Sequence, residues 1–94
     1  MRTRIPVILS AMLVMTAARA EAPAVIACDT LVSLRVLMAA GGHDAMESAL
    51  PRHRSCRTIS RDRIGAPEHR AMVGGAPFEC LAVAGEKDCA WVVP

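Results

Sequence analysis

The stretch Ala76-Pro77-Phe78-Glu79-Cys80-Leu81-Ala82-Val83-Ala84-Gly85-Glu86-Lys87-Asp88-Cys89-Ala90-Trp91-Val92-Val93 decides the fold. Two apolar runs flank a polar, glycine-bearing centre, which is the pattern of a β-hairpin. Each run carries one cysteine, and the chain's one Phe and one Trp both lie here. With Val83 facing Glu86 across an Ala84-Gly85 turn, the register sets Cys80 opposite Cys89. Opposed residues of an antiparallel pair have Cα atoms about 4.5–5.5 Å apart, inside the roughly 4.4–6.8 Å that a disulfide spans. The hairpin therefore predicts a Cys80–Cys89 bridge, which leaves Cys28 for Cys56.

The other end of the chain reads as a leader. Met1-Arg2-Thr3-Arg4 is basic, Ile5 to Met15 is a short apolar run, and Ala18-Arg19-Ala20 has the small-x-small spacing of a signal-peptidase site. The run is shorter than the about 20 apolar residues that cross a bilayer. Residues 1–20 are thus expected to be a cleaved secretory signal peptide, and residues 21–94 one small disulfide-stapled domain. Removing the leader takes away Arg2, Arg4 and Arg19, so residues 21–94 hold eight Lys and Arg against nine Asp and Glu, a net charge of −1. That balance excludes a basic nucleic-acid-binding domain.

A domain this short gains only about 3–5 kcal/mol from its core, so staples are expected, and four cysteines in an exported chain supply them. Zinc is the competing use of Cys and His. The cysteines lie far apart without a C-x2-C, and the three histidines show no paired spacing, so no metal or cofactor is expected. Val25-Ile26-Ala27-Cys28 resembles a lipobox, which would make Cys28 a lipidated N-terminus and put the protein on a membrane. Arg19, Glu21 and Pro23 interrupt the apolar run, and lipidation would strand one of the other three thiols, so the bridge is preferred.

From Glu21 to Ala27 the chain reads as an extended lead-in. Asp29 is placed to cap a helix over residues 30–40, whose Leu31, Leu34, Leu37 and Met38 share a face, and Gly41-Gly42 ends it. A second helix is predicted over residues 43–50, with Asp44 and Glu47 at capping-box spacing and Pro51 as its stop. Cys56 to Ile64 reads as an arginine-bearing edge strand, Gly65-Ala66-Pro67 as a turn, and Glu68 to Val73 as a strand, with one or two helical turns as the alternative. The fold class that follows is α+β: two short N-terminal helices packed on a three- or four-stranded antiparallel sheet with two disulfides. The alternative is a small SH3-like β-barrel with a helical preface. Phe78 and Trp91 are expected to pack over the hairpin disulfide, since a chain with two aromatics loses much by exposing them.

One cluster has a functional flavour. Arg52, Arg54, Arg57, Arg61, Arg63 and Arg70 face only Asp62 and Glu68 within the same segment, a local balance of +4, while the flanks carry −3 and −2. Guanidinium groups grip phosphate and carboxylate through paired N–H donors, so these six are the candidate anion-binding residues, with an envelope polyanion or a protein as partner. The competing reading pairs them with the protein's own acidic flanks. Glu86 and Asp88 read as acids that solvate a turn. The function expected is that of an exported, periplasmic or secreted, cell-envelope module with a binding or structural duty and no catalysis. The alternative is a small periplasmic enzyme or inhibitor using His69 and the Arg52–Arg70 segment. His43, His53 and His69, with Ser55 or Ser60 and Asp44, offer loose catalytic material but no nucleophile elbow.

Overall fold

The computed structural model describes residues 23–94; the expected signal peptide lies outside them. The elements run β1 (Ala24–Cys28), α1 (Leu31–Met38), α2 (His43–Ala49), a 3-10 turn (Leu50–Arg52), β2 (Cys56–Ser60), a second 3-10 turn (Arg61–Arg63), β3 (Ile64–Val73), β4 (Ala76–Val83) and β5 (Ala90–Val92). All strands join one antiparallel sheet in the order β2-β1-β5-β4-β3. The α+β class holds, with five strands where three or four were expected.

The added strand is the lead-in. Ile26, Ala27 and Cys28 are all buried, so β1 presents apolar atoms to both faces and sits inside the sheet between β2 and β5. A strand buried on both sides reads as a continuous apolar run, and that is what Val25 to Cys28 is. The helices consequently follow β1 in the chain and are not a preface to the strands.

Thr30, not Asp29, caps α1: its backbone is extended and its Oγ1 accepts the Ser33 N–H at 3.1 Å. Asp29 is used one step earlier, where its N–H donates to the Ser55 carbonyl at 2.8 Å and ties the chain to the start of β2. Gly41, with φ at +129°, ends the helical run where a side chain would be strained. Gly42 precedes α2 without a side-chain cap, and Glu47 accepts from His43 instead of closing a capping box. Leu34, Leu37, Met46 and Ala49 project from the two helices onto Ile26, Cys28, Cys56 and Phe78, forming the larger core on one face of the sheet.

The other face is covered by curling. Only three residues join Ser60 of β2 to Ile64 of β3, a path of roughly 8 Å through a 3-10 turn. The edges of a flat five-stranded sheet would lie about 19 Å apart, so the two edge strands must approach each other here. The Arg61 N–H donates to the Pro23 carbonyl at 3.0 Å and the Ala84 N–H to the Arg63 carbonyl at 2.8 Å, stitching the turn to both sides. Ala27, Ile59, Val83 and Ala90 fill the concavity as a second cluster, with Val25, Ile64 and Val92 around it.

Two expected boundaries move and a third holds. The run from Cys56 to Ile64 breaks into β2 and the 3-10 turn, with β2 on the sheet edge. Gly65-Ala66-Pro67 does not turn but continues β3, which absorbs these residues as two register irregularities against β4. A Cβ at Gly65 would sit 3.3 Å from that of Ala82, so the strands approach closely at this point. Residues 68–73 are strand, and Gly74 and Gly75, with φ of +59° and +81°, make the two-residue turn that pairs Val73 with Ala76.

Both disulfides form, Cys28–Cys56 and Cys80–Cys89. The first joins directly paired residues of β1 and β2. The second does not: Cys80 faces Trp91 in the ladder, because the chain turns at Val83–Glu86 and then spends Glu86 to Cys89 outside it before β5. Cys89 reaches Cys80 from just before β5, with the Cα atoms 5.4 Å apart. Register neighbours across the sheet run Cys56, Cys28, Trp91, Cys80. Directly opposed side chains share a face, so the half-buried Trp91 lies between one half of each bridge, while Phe78 is buried.

Candidate functional site

The arginine segment winds from the first 3-10 turn through β2 and the second 3-10 turn into β3. Arg52 closes the first turn and Arg54 lies in the loop before β2; Arg57 is in β2, Arg61 and Arg63 bound the second turn, and Arg70 is in β3. The structure divides them into two sets.

Three are engaged internally. Arg57 and Arg63 both donate to Glu86, one to each carboxylate oxygen, with Arg63 Nη2 at 3.0 Å from Oε2. The same Arg63 nitrogen donates to the Ala84 carbonyl at 3.0 Å. Arg70 faces Glu79 across the β3–β4 ladder and donates Nε to its Oε2 at 2.7 Å. Glu86 is therefore more than a turn-solvating acid. It clamps the β4–β5 loop to β2 and to the second 3-10 turn. The hydrogen bond from Arg57, aided by the charges of Arg57 and Arg63, holds the Glu86 carboxyl below the usual glutamate range. The same bond raises Arg57 above its ordinary value.

The other three are Arg52, Arg54 and Arg61. All are exposed, and none has a carboxylate within salt-bridge distance among the described residues. Arg54 precedes β2 and Arg61 follows it, so the strand between them sets these side chains roughly 20 Å apart at about 3.3 Å per residue. A single small anion cannot touch both. The β2 edge with its flanking turns is a basic ridge suited to an elongated ligand.

The catalytic material stays dispersed. His43 pairs with Glu47 one helical turn away, at 3.2 Å. His69 is exposed on β3 opposite Cys80, whereas Ser55 and Ser60 lie at the two ends of β2 on the other sheet edge. Among the described residues no hydrogen bond joins a histidine to either serine or to Asp44. Nor does any group of three His, Cys, Asp or Glu among them gather as metal ligands. The Cys28 sulfur that lipidation would need is bonded to that of Cys56, and Cys28 as a residue is 1% exposed. No helix among the described residues is long and apolar enough to cross a membrane.

Two features escape a sequence reading. Pairing of the arginines with the acidic flanks holds for Arg57, Arg63 and Arg70, but that the single Glu86 takes two of them, from 29 and 23 residues away, follows from no local pattern. The row of half-cystines around Trp91 depends on the β1–β5 pairing, which brings Cys28 beside Trp91 from opposite ends of the described chain. Comparison with models of protein families, with curated proteins and with solved structures returns no match.

Proposed function

We propose that this chain is an exported, non-enzymatic binding module of the bacterial cell envelope, working in the periplasm or outside the cell, which takes an elongated anionic polymer along the β2 edge. The observation that carries this reading is the set Arg52, Arg54 and Arg61, without a carboxylate partner among the described residues and exposed at the two ends of β2 beside the clamped Arg57 and Arg63. Two disulfides in a small domain support the oxidising compartment, and the leader-like residues 1–20 support export.

Heparin is the probe. The mature protein is expected to bind it at low salt and to elute steeply as salt rises, since exposed charges are screened within about 10 Å at 0.1 M. Replacing Arg52, Arg54 and Arg61 with Ser should abolish retention while leaving the circular dichroism spectrum and melting temperature in place. Retention that ignores salt, or survives the triple replacement, would contradict the proposal.

A further inference from the structure

The Arg57–Arg63–Glu86 cluster differs from the other ion pairs of the molecule. Among the described residues, Arg70–Glu79 sets one guanidinium group against one carboxylate, and His43–Glu47 one imidazole against one carboxylate. Here two guanidinium groups from separate elements, β2 and the second 3-10 turn, converge on the two oxygens of a single side chain. Arg63 is positioned independently of Glu86 by its bond to the Ala84 carbonyl and by the return bond from the Ala84 N–H to its own carbonyl. Arg63 therefore keeps its place without the carboxylate, whereas the Arg57 side chain, carried on β2, donates to Glu86 alone among the described residues, and the two guanidinium groups hold one positive charge beyond what Glu86 neutralises. Arg61, in the same turn, adds another that no described carboxylate answers.

We propose that Arg57 and Arg63 form an anion site whose resident occupant is Glu86, and that a phosphate or carboxylate group of the partner takes the site by displacing it. Two oxygens of such a group replace Oε1 and Oε2 on the same donors. Displacement is local, because Glu86 sits on an exposed loop and is joined to the arginines only by its side chain. Asp29, Asp88 and Lys87 line the hollow beside Glu86. Its two acids outnumber Lys87 and disfavour an anion from that direction, whereas the second 3-10 turn sets Arg61 and Arg63 against the single Asp62 and is the more favourable side. The inference rests on the anionic-partner reading above and sharpens it: the ridge holds the polymer, and this pair grips one charged group of it.

The test uses inorganic phosphate, titrated against the mature protein and followed by nitrogen-15 NMR of the arginine Nε–H groups and of the backbone around Arg57, Arg63 and Ala84. Glu86→Gln removes the competing charge and keeps the side chain's size. Its phosphate affinity should exceed that of the wild type about fivefold or more, as when an occluded site of a weakly paired surface cluster is freed, with shifts centred on Arg57 and Arg63. Glu79→Gln, which frees the single Arg70, should show no such gain. An affinity unchanged in Glu86→Gln, or raised equally in Glu79→Gln, overturns the proposal.

A measurement on the wild type covers the case in which Glu86→Gln does not fold. Saturating phosphate should move the depressed Glu86 carboxyl titration back toward its ordinary range, and chloride at equal ionic strength should not; identical titrations overturn the site. A carboxylate probe, acetate, distinguishes the two ligand sources by their relative affinity for the freed pair. Retention on heparin without a gain in Glu86→Gln removes this site and leaves the ridge standing. A gain without heparin retention does the reverse.

Discussion

Removing the disulfides one at a time should reveal a fixed order. Cys28–Cys56 spans a sequence separation of 28 and Cys80–Cys89 one of 9. If a bridge acts mainly by restricting the unfolded chain, these loops correspond to about 3.6 and about 2.6 kcal/mol at 25 °C. The longer loop also contains the whole helical layer, α1 and α2, so opening it releases the elements that cover the main core. Cys28→Ala with Cys56→Ala should therefore cost about 1 kcal/mol more than Cys80→Ala with Cys89→Ala. In a domain of this size that difference corresponds to about 4–8 °C in melting temperature. Its first loss is comparable to the about 3–5 kcal/mol a core this small supplies, so that variant should be partly unfolded without urea. Urea titrations followed by far-ultraviolet circular dichroism, on oxidised wild type and both double variants, measure the order. Equal losses, or a larger loss for the Cys80–Cys89 pair, would refute loop length as the governing factor and point to packing around Trp91.

Three further outcomes follow from the same geometry. Leu37 is 0% exposed beneath α1, so Leu37→Ala should lower unfolding free energy by about 2–5 kcal/mol, read from the same titrations. Gly75 has φ of +81°, and Gly75→Val should cost about 1–2 kcal/mol because an L-residue is strained in that region, whereas Gly42→Ala, with negative φ and no heavy atom within 4 Å of a new Cβ, should cost far less. Glu86 has a folded pKa lowered from 4.5, so its contribution is present above that value and is lost as pH falls below it; the acid side of the stability profile should be steeper in wild type than in Glu86→Gln, and identical slopes would contradict the clamp.

How far the sequence could be read depended on how local each signal was. The α1 stripe, the Gly41-Gly42 stop and the Gly74-Gly75 turn depend on neighbours a few residues away, and all appear in the structure. β1 was hidden because its partners are distant in sequence, β2 along its whole length and Val92 and Trp91 of β5 at its end, and because its alanines have little strand preference. Gly65-Ala66-Pro67 carries turn chemistry, yet pairing with β4 draws it into a strand as irregularities, which only the partner strand specifies. The Cys80–Cys89 partnership was legible while its register was not, since the ladder is offset by the residues that Glu86 anchors outside it. At the candidate site the six arginines were legible as a cluster. Pairing with the acidic flanks was legible as the competing reading and holds for Arg57, Arg63 and Arg70; which arginines Glu79 and Glu86 would take, and which would have no partner among the described residues, depends on the β3–β4 register and the β4–β5 loop.

The most direct test of an exported, doubly stapled module is the intact mass of the protein recovered from a bacterial envelope fraction, before and after reduction and alkylation. The expected species is a chain beginning at Glu21, with no adduct before reduction and one on each of the four cysteines after it, and with non-reducing peptide maps joining Cys28 to Cys56 and Cys80 to Cys89. A chain still beginning at Met1, a thiol that alkylates without reduction, or an acyl mass on Cys28 would contradict it.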